Sequence, residues 1–365
     1  MKNRKTNKGI LIKILIFSLV VLSLLLLVMA LIRIKTQETE KETSGMTEVE
    51  SSESSEVISS VPESEEETDI VAYPAPQYDF TCEEVTIKIP GMSEEYTFVW
   101  VSDLHMITDL APAEDVMPGN EETIQFRYEF FSTPDGMRSV ELWPEVVNFL
   151  NYGDFDGVIF GGDMLDYCSN SNLKTFMQEF EKLNPEVPVL YIRADHDYGY
   201  WYGGEVLKET DTHALHKTID KDDINDKYWE FDDFIIIGVN NSTKDMPQEQ
   251  LDLILSLYEK NKKIIMVTHV PYASMVDESL EALSMEVRQK VYYWGGGDYV
   301  PNAVTKAYLD KVYAEDTNVC QVLAGHLHAQ WDGMLTQQVP QHIFTPGYMG
   351  AIGIIHVVGE ETGNE

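Results

Sequence analysis

Residues 97–105 read Thr-Phe-Val-Trp-Val-Ser-Asp-Leu-His, an apolar run that ends directly in a carboxylate and an imidazole. The apolar part, residues 97–101, is short and rich in β-branched and aromatic side chains, as is typical of a buried strand. Asp103 and His105 therefore stand just past the end of a predicted strand. Four more runs of this kind follow along the chain, and together they indicate the fold.

Each of the four later runs also ends in Asp or His. The runs, with the residues that follow them, are 158–160 with Asp163 and Asp166, 189–192 with Asp195 and His196, 264–267 with His269, and 322–323 with His326 and His328. Five of the nine histidines of the chain stand at these strand ends. In α/β sheets, ligands bind beyond the carboxyl ends of the strands, so we expect these side chains to meet at one edge.

Short β-rich runs alternate with amphipathic stretches from about Ala72 onward, which predicts an α/β fold. The predicted strands are residues 85–89, 97–101, 157–160, 187–192, 234–239, 263–267, 320–323, 342–345 and 353–358. The predicted helices are residues 144–150, 172–183, 248–258, 278–289 and 303–314. No internal repeat is visible, so we expect a single catalytic or binding domain over residues 72–359.

The residue types at the strand ends suit divalent cations. Neutral imidazole and carboxylate favour Mn²⁺, Fe²⁺ or Zn²⁺, and the three cysteines have no metal-binding spacing, so we interpret them as small buried apolar residues. Asp163 is suited to bridge two ions about 3.5–4 Å apart. The alternative is that such histidines only satisfy buried hydrogen bonds and the aspartates only cap turns. Five motifs in one ordered series favour two metal ions.

The ordered series DxH, GDxxD, DHD, a lone His and GHxH resembles that of the calcineurin-like metallophosphoesterase family, over roughly residues 72–358. The resemblance implies a two-sheet β-sandwich flanked by helices, in four layers of α/β/β/α. It also implies a pair of divalent metal ions at the strand ends. The expected activity is hydrolysis of a phosphomonoester or phosphodiester, by attack of a metal-bridging hydroxide on phosphorus.

The resemblance also implies a role for each site residue. The first metal would be held by Asp103, His105, Asp163 and His328, and the second by Asp163, Asp195, His269 and His326. His196 would protonate the leaving oxygen, with Asp166 orienting it. The family has Asn where this chain has Asp195, and a carboxylate there adds negative charge beside an incoming phosphate. A non-catalytic, metal-stabilised surface binding protein therefore stays open as an alternative.

The N-terminal segment predicts a membrane anchor. Residues 10–34 contain an uncharged run of 19 residues, 14–32, which as a helix covers a hydrocarbon core of roughly 30 Å. Five Lys or Arg residues lie at or before Lys13. By the positive-inside rule, residues 1–9 form a cytoplasmic tail and the remaining chain lies outside the cell membrane. Cleavage near Ala30, which would release a secreted protein, is the alternative.

Acidic composition separates the anchor from the predicted domain. Residues 36–69 hold twelve acidic residues and one Lys, so we expect residues 35–71 to form a disordered Ser/Glu-rich linker, and residues 360–365 a flexible tail. The net charge of −36 makes nucleic acid polymers unsuitable partners. The expected partners are the lipid bilayer, through the anchor, and a phosphate ester that is a small molecule, a lipid or a cell-wall component.

Two stretches combine aromatic residues with glycine, at residues 198–204 and 292–299. The first stretch follows His196 by a few residues, and the second follows His269 by about twenty. Their rings either shape a pocket for the substrate or pack over the ends of the sheets, and the sequence favours neither interpretation.

Overall fold

The computed structural model describes residues 73–109, 116, 118–199, 227–241, 245–295 and 300–360. The predicted cytoplasmic tail, membrane anchor and acidic linker lie outside these ranges, as do residues 361–365 of the predicted C-terminal tail. Glu360, the first residue of that predicted tail, is instead the last residue of a β-strand. Among the helices that the structure describes, none combines the length and the apolar character needed to cross a bilayer.

The first sheet has five strands in the order β1-β11-β2-β3-β4. Its strands are β1 (Thr81–Pro90), β2 (Tyr96–Val101), β3 (Gly157–Phe160), β4 (Val189–Tyr191) and β11 (Ala351–Glu360). Strands β2, β3 and β4 run parallel, while β11 is parallel to β1 and antiparallel to β2. The carboxyl ends of β2 and β3 therefore meet at the same edge.

The second sheet has six strands in the order β5-β6-β7-β8-β10-β9. They are β5 (Lys227–Glu230), β6 (Phe234–Val239), β7 (Lys263–Thr268), β8 (Val319–Ala324), β9 (Trp331–Met334) and β10 (Pro340–Ile343). The four central strands are parallel, and the two outer strands are antiparallel to their neighbours.

Seven α-helices and one 3₁₀ helix belong to the described ranges. The α-helices are α1 (Glu121–Phe130), α2 (Ser139–Tyr152), α3 (Asn170–Phe180), α4 (Asp195–Tyr198), α5 (Gln248–Tyr258), α6 (Ser279–Arg288) and α7 (Ala303–Val312), and the 3₁₀ helix is Gly347–Met349.

The alternation of side chains along β2 shows how the layers are built. Phe98 and Trp100 point between the two sheets, where they pack with Phe234 and Val267 of the second sheet. Val99 and Val101 point to the opposite face and pack against α2 and α3. The outer face of the second sheet packs in the same way against α5 and α7. The predicted α/β fold, with two sheets between layers of helices, is confirmed for the described residues.

All nine predicted strands and all five predicted helices are present, with ends that shift by a few residues. Five elements were missed: α1, α4, β5, β9 and the 3₁₀ helix. Strands β5 and β9 have only four residues each and lie at the sheet edge, where one face is exposed and the apolar pattern is weak. The prediction of three buried cysteines is confirmed for Cys168, while Cys320 is half-buried. It is wrong for Cys82, which is exposed because β1 is also an edge strand.

Candidate metal centre

The loops that follow β2 and β3 are hydrogen-bonded side by side. The main-chain N–H of Asp103 donates to Gly162 O at 2.8 Å, and that of His105 donates to Asp163 O at 2.9 Å. In the second sheet, the N–H of Gly325 donates to His269 O at 3.0 Å. The main-chain N–H of His326 then joins the two sheets by donating to Asp103 Oδ2 at 3.0 Å, so the strand-end motifs of both sheets meet, as the sequence predicts.

Strained backbone is concentrated at the predicted ligands. Seven residues other than glycine have positive φ in the described ranges, and five of them are predicted ligands: Asp103, His105, Asp163, His326 and His328, with φ between 46° and 73°. A left-handed backbone costs on the order of 1 kcal/mol at each such residue. Such strain clusters at functional sites, because it aims side chains that an ordinary strand end would leave apart.

The first group of candidate ligands contains Asp103, His105, Asp163 and His328, whose ligand atoms all lie within 4.8 Å of one another. His105 Nε2 lies 2.9 Å from His328 Nε2 and 3.6 Å from Asp163 Oδ2. His328 Nε2 lies 3.3 Å from Asp103 Oδ1. These four residues are the set that the family resemblance implies for the first metal.

The second group shares Asp163 with the first. It contains Asp163, His269 and His326, with His269 Nε2 at 3.3 Å from Asp163 Oδ2 and 3.0 Å from His326 Nδ1. Asp195, the fourth residue predicted here, is the first residue of α4 and does not join this group of described ligand atoms. Its carboxylate is still close enough to interact with the charge of Asp163. Burial and that negative charge together raise the pKa of Asp195.

The hydrogen bonds of two histidines define the direction of their lone pairs. His269 Nδ1 lies 2.9 Å from the carbonyl oxygen of Gly161, and His105 Nδ1 lies 3.1 Å from Asp166 Oδ1. Both partners only accept, so Nδ1 carries the hydrogen and, in the neutral ring, Nε2 presents its lone pair. Both Nε2 atoms then face the carboxylate of Asp163. Two lone pairs directed at a carboxylate repel it unless a positive charge lies between them.

The burial of the Asp163 carboxylate likewise requires a positive charge close to it. Its Oδ1 is buried and accepts no hydrogen bond within the described residues. Burial favours the neutral form of the nearby ring, yet Asp163, Asp103 and Asp195 raise the pKa of His269 to about 10. Burial also opposes ionisation of Asp103, but His328 and His269 hold the pKa of that carboxyl far below its usual range. The residues present therefore fit divalent cations, which would supply this positive charge.

His196 and Asp166 lie beside the first group. His196 Nδ1 is 2.5 Å from the main-chain oxygen of Asp166, and its ring centroid is 4.8 Å from that of His105. The carboxylate of Asp166 also lies near this ring, with Oδ1 3.6 Å from His196 Nδ1. It accepts from Arg127 Nε at 2.7 Å and from Arg127 Nη2 at 2.5 Å, besides His105. Asp166 thus orients His196 through its main chain and orients His105 through its side chain.

Two charged residues beside the centre were not predicted. Arg127 comes from α1, a helix that the apolar pattern did not reveal. Asp197 is fully buried and accepts main-chain hydrogen bonds from Asp163, Leu165 and Ala194, at 2.9–3.0 Å. Burial and Asp163 raise the pKa of Asp197 to about 6. The DHD motif contains this residue, but spacing alone did not show that it holds the loop of Asp163 against the loop of Asp195.

The aromatic stretches are described in part. The ring of Tyr292 lies 4.2 Å from that of His326, so this stretch packs directly on a candidate ligand. Tyr198 Oη accepts from Asn240 Nδ2 at 2.8 Å. Residues 200–204 and 296–299 of the same stretches lie outside the described ranges.

A comparison with solved structures finds matches to phosphatases and a hydrolase. A dimetal phosphatase from Danio rerio is 14% identical, with 69% of this chain and 87% of that chain covered and a TM-score of 0.38. The purple acid phosphatase PPD1 from yellow lupin (Lupinus luteus) is 13% identical, with 73% and 46% covered and a TM-score of 0.43. A phosphopantetheinyl hydrolase from Mycobacterium tuberculosis is 10% identical, with 68% and 89% covered and a TM-score of 0.33.

A comparison with curated protein sequences finds no match. A comparison with family profiles does: residues 96–330 match calcineurin-like phosphoesterase. The match spans well over half of the chain and contains all nine candidate site residues, from Asp103 to His328. The chain therefore belongs to the calcineurin-like phosphoesterase family.

Proposed function

We propose that the protein is a metal-dependent phosphoesterase that hydrolyses a phosphomonoester or a phosphodiester with the help of two divalent cations, Mn²⁺, Fe²⁺ or Zn²⁺. The observation that carries this proposal is the position of Asp163. Its carboxylate is shared by two groups of ligand atoms, and the lone pairs of His105 and His269 converge on it. Family membership makes phosphate-ester hydrolysis the reaction that suits such a site.

The protein residues have separate tasks in this proposal. Asp103, His105, Asp163 and His328 would hold one cation, and Asp163, His269 and His326, with Asp195 drawn in, would hold the other. When bound, the two cations lower the pKa of a water molecule and neutralise charge on the phosphate oxygens. Asp166 and Gly161 keep His105 and His269 in the tautomers that binding requires.

His196 is suited to protonate the leaving alcohol. Its Nδ1–H is held by the main-chain oxygen of Asp166, so Nε2 is the atom that gives and takes a proton. Burial opposes the charged ring, but the carboxylates of Asp163, Asp166 and Asp195 raise the pKa of His196 above its ordinary value. A protonated ring near neutral pH is what a general acid requires.

The proposed location is the outer face of the cell membrane, with residues 10–34 as the anchor and the N-terminus in the cytoplasm. The uncharged run and the excess of Lys and Arg before it support this orientation. A lipid or cell-wall phosphate ester is then an accessible substrate. Protease added to intact cells should remove the domain; a protected domain would contradict the orientation, and release into the medium would favour cleavage near Ala30.

The activity is tested on the full-length chain, stripped with a chelator and reloaded with Mn²⁺, Fe²⁺ or Zn²⁺. We expect metal-dependent release of p-nitrophenol from p-nitrophenyl phosphate or bis(p-nitrophenyl) phosphate. His196→Ala should lower kcat by about a hundredfold or more with metal content retained. His356→Ala, which removes a histidine of β11 away from the centre, is the matched control. Unchanged turnover in His196→Ala would remove this residue from its role.

Asp195 favours a second candidate function, a non-catalytic surface binding protein stabilised by metal. A carboxylate at this position adds negative charge where an anionic substrate would approach. A chain that binds two equivalents of metal but hydrolyses no ester in the panel would support this second function.

A further inference from the structure

Exposed aromatic side chains lie on one face of α1. Phe126 and Phe130 are 63% and 51% exposed, and their ring centroids are 5.6 Å apart. Met349, in the 3₁₀ helix Gly347–Met349, is 40% exposed. We name the group of Phe126, Phe130, Phe131, Tyr348 and Met349 the apolar ledge, in which Phe131 and Tyr348 are the buried members.

The apolar ledge begins at the ligands of the first metal. The ring of Phe131 stacks on that of His105 with centroids 4.2 Å apart, and Phe130 continues from Phe131 at 5.2 Å. On the other side, the ring of Tyr348 lies 5.4 Å from that of His328 and 5.1 Å from that of Phe131. An unbroken series of rings therefore leads from two candidate ligands to the exposed surface.

Hydrogen bonds hold both α1 and the 3₁₀ helix, the two elements that carry the apolar ledge, to the candidate metal centre. Arg127 of α1 binds the carboxylate of Asp166 through two nitrogen atoms. The N–H of Gly347 donates to Ser102 O at 2.7 Å, and that of Tyr348 donates to Asp103 O at 3.2 Å. The position of the ledge relative to the candidate ligands is thus fixed by the same loops that carry those ligands.

Packing among the residues that the structure describes does not account for the outward rings. The residues of α1 that contact the core are Ile124 and Tyr128, on a different face of the helix. Phe126 and Phe130 stand at i and i+4, so they form one continuous strip toward solvent. Exposed apolar surface of this kind, continuous with a polar site, is typical of a ligand-binding groove.

We propose that the apolar ledge binds the hydrocarbon chain of an amphiphilic phosphate ester whose phosphate lies at the metal centre. This inference rests on the proposed function and names the class of its substrate. His196, the candidate acid, is the neighbour of His105, on whose ring Phe131 stacks. The alcohol that His196 protonates is therefore next to the start of the ledge.

Charge and polarity favour a hydrocarbon chain over a nucleotide. The polar edges of a base need hydrogen-bond partners, while Phe126, Phe130 and Met349 offer only carbon and sulfur. Further phosphates would meet Glu121 and Glu122 in the first turn of α1, within a chain of net charge −36. A hydrocarbon chain has no such conflict and gains from the burial of the exposed rings.

The test is a series of n-alkyl phosphates from butyl to dodecyl, with the full-length chain and below the critical micelle concentration. We expect kcat/KM to rise by about tenfold or more along the series, since each methylene group buried on the ledge strengthens binding. Phe126→Ser combined with Phe130→Ser should flatten this rise, so that the loss of kcat/KM is largest for dodecyl phosphate and smallest for butyl phosphate. Phe130→Leu keeps an apolar side chain at this position, so it should retain most of the rise of kcat/KM with chain length.

Tyr152→Ser is the matched control, because Tyr152 is 64% exposed at the end of α2, away from the metal centre. Calorimetric binding of dodecylphosphonate and butylphosphonate to the Mn²⁺-loaded chain tests the ledge without turnover. Equal affinity for both phosphonates, or preference for adenosine monophosphate over dodecyl phosphate, would overturn the inference while turnover of short esters still supported the proposed function. Tighter dodecylphosphonate binding without any turnover would retain the ledge and reject the hydrolase.

Discussion

The two groups of candidate ligands differ in the number of ligand atoms they bring together and in the backbone conformation of their residues. The first has four ligand atoms within 4.8 Å of one another, and all four residues have left-handed backbone. The second has three, and the backbone of His269 is ordinary. A buried carboxylate orients His105, whereas a main-chain carbonyl orients His269.

This difference predicts two cation affinities instead of one. The first group offers two carboxylates and two imidazoles, enough for the four-coordinate arrangement common for Zn²⁺. The second group must draw in Asp195 or solvent to complete its set. We expect the first cation to bind tightly and the second to exchange with solution more readily, so the second would limit activity at low metal concentration.

The largest effect is expected from Asp163→Asn, because both groups use this carboxylate. The substitution should remove both cations and lower kcat/KM by more than about a thousandfold. Metal content per chain and turnover of p-nitrophenyl phosphate measure it. Asp310→Asn, an exposed aspartate of α7 paired with Lys306, is the control. If Asp163→Asn still bound two cations, the conclusion that both groups depend on this carboxylate would be wrong.

A smaller effect is expected from Asp166→Asn, which should act on the first group alone. Without the carboxylate that orients His105, affinity for the first cation should fall by about 10–100-fold. Chelator competition resolves the two affinities in one titration. Gln125→Glu is the control: it changes the charge at an exposed position of α1, the helix that carries Arg127, without touching Asp166. Equal weakening of both cations would show that the groups are not independent.

The smallest effect is expected from Asp195→Asn, which supplies the amide that the family usually has. Removing this charge should weaken the second cation about fivefold and raise kcat/KM for a phosphomonoester by a similar factor, because the substrate dianion meets less repulsion. The first cation should be unaffected. A change confined to the first cation would place Asp195 in the other group, and no change in either would remove it from the site.

The strand-end aspartates and histidines could be predicted because their placement follows from sheet geometry. Parallel strands carry whatever follows them to one edge, so Asp103, Asp163 and His328 needed no knowledge of the loops between them. The position of Asp195 could not be derived in this way. Spacing does not determine how far the first turn of α4 holds its side chain from Asp163.

The residues that were missed share a physical reason. Arg127 lies on α1, whose exposed Phe126 and Phe130 blur the apolar periodicity that reveals a helix. Asp197 is adjacent to His196 in sequence, yet it points inward to three main-chain N–H groups. Which side of a short turn a carboxylate takes depends on tertiary packing, and a motif of three residues does not contain that information.

The order β1-β11-β2 of the first sheet has a consequence for how the chain folds. Among the strands that the structure describes, β11 is the last to be synthesised, yet it lies between the first two and is the one to which β1 pairs. Pairing residues 81–90 with residues 351–360 closes a loop of more than two hundred and fifty residues, so assembly of this sheet is slow and occurs late. A ribosome-bound chain that lacks β11 therefore leaves β1 without the strand it pairs with, and the first sheet is completed only after residue 360 has been synthesised.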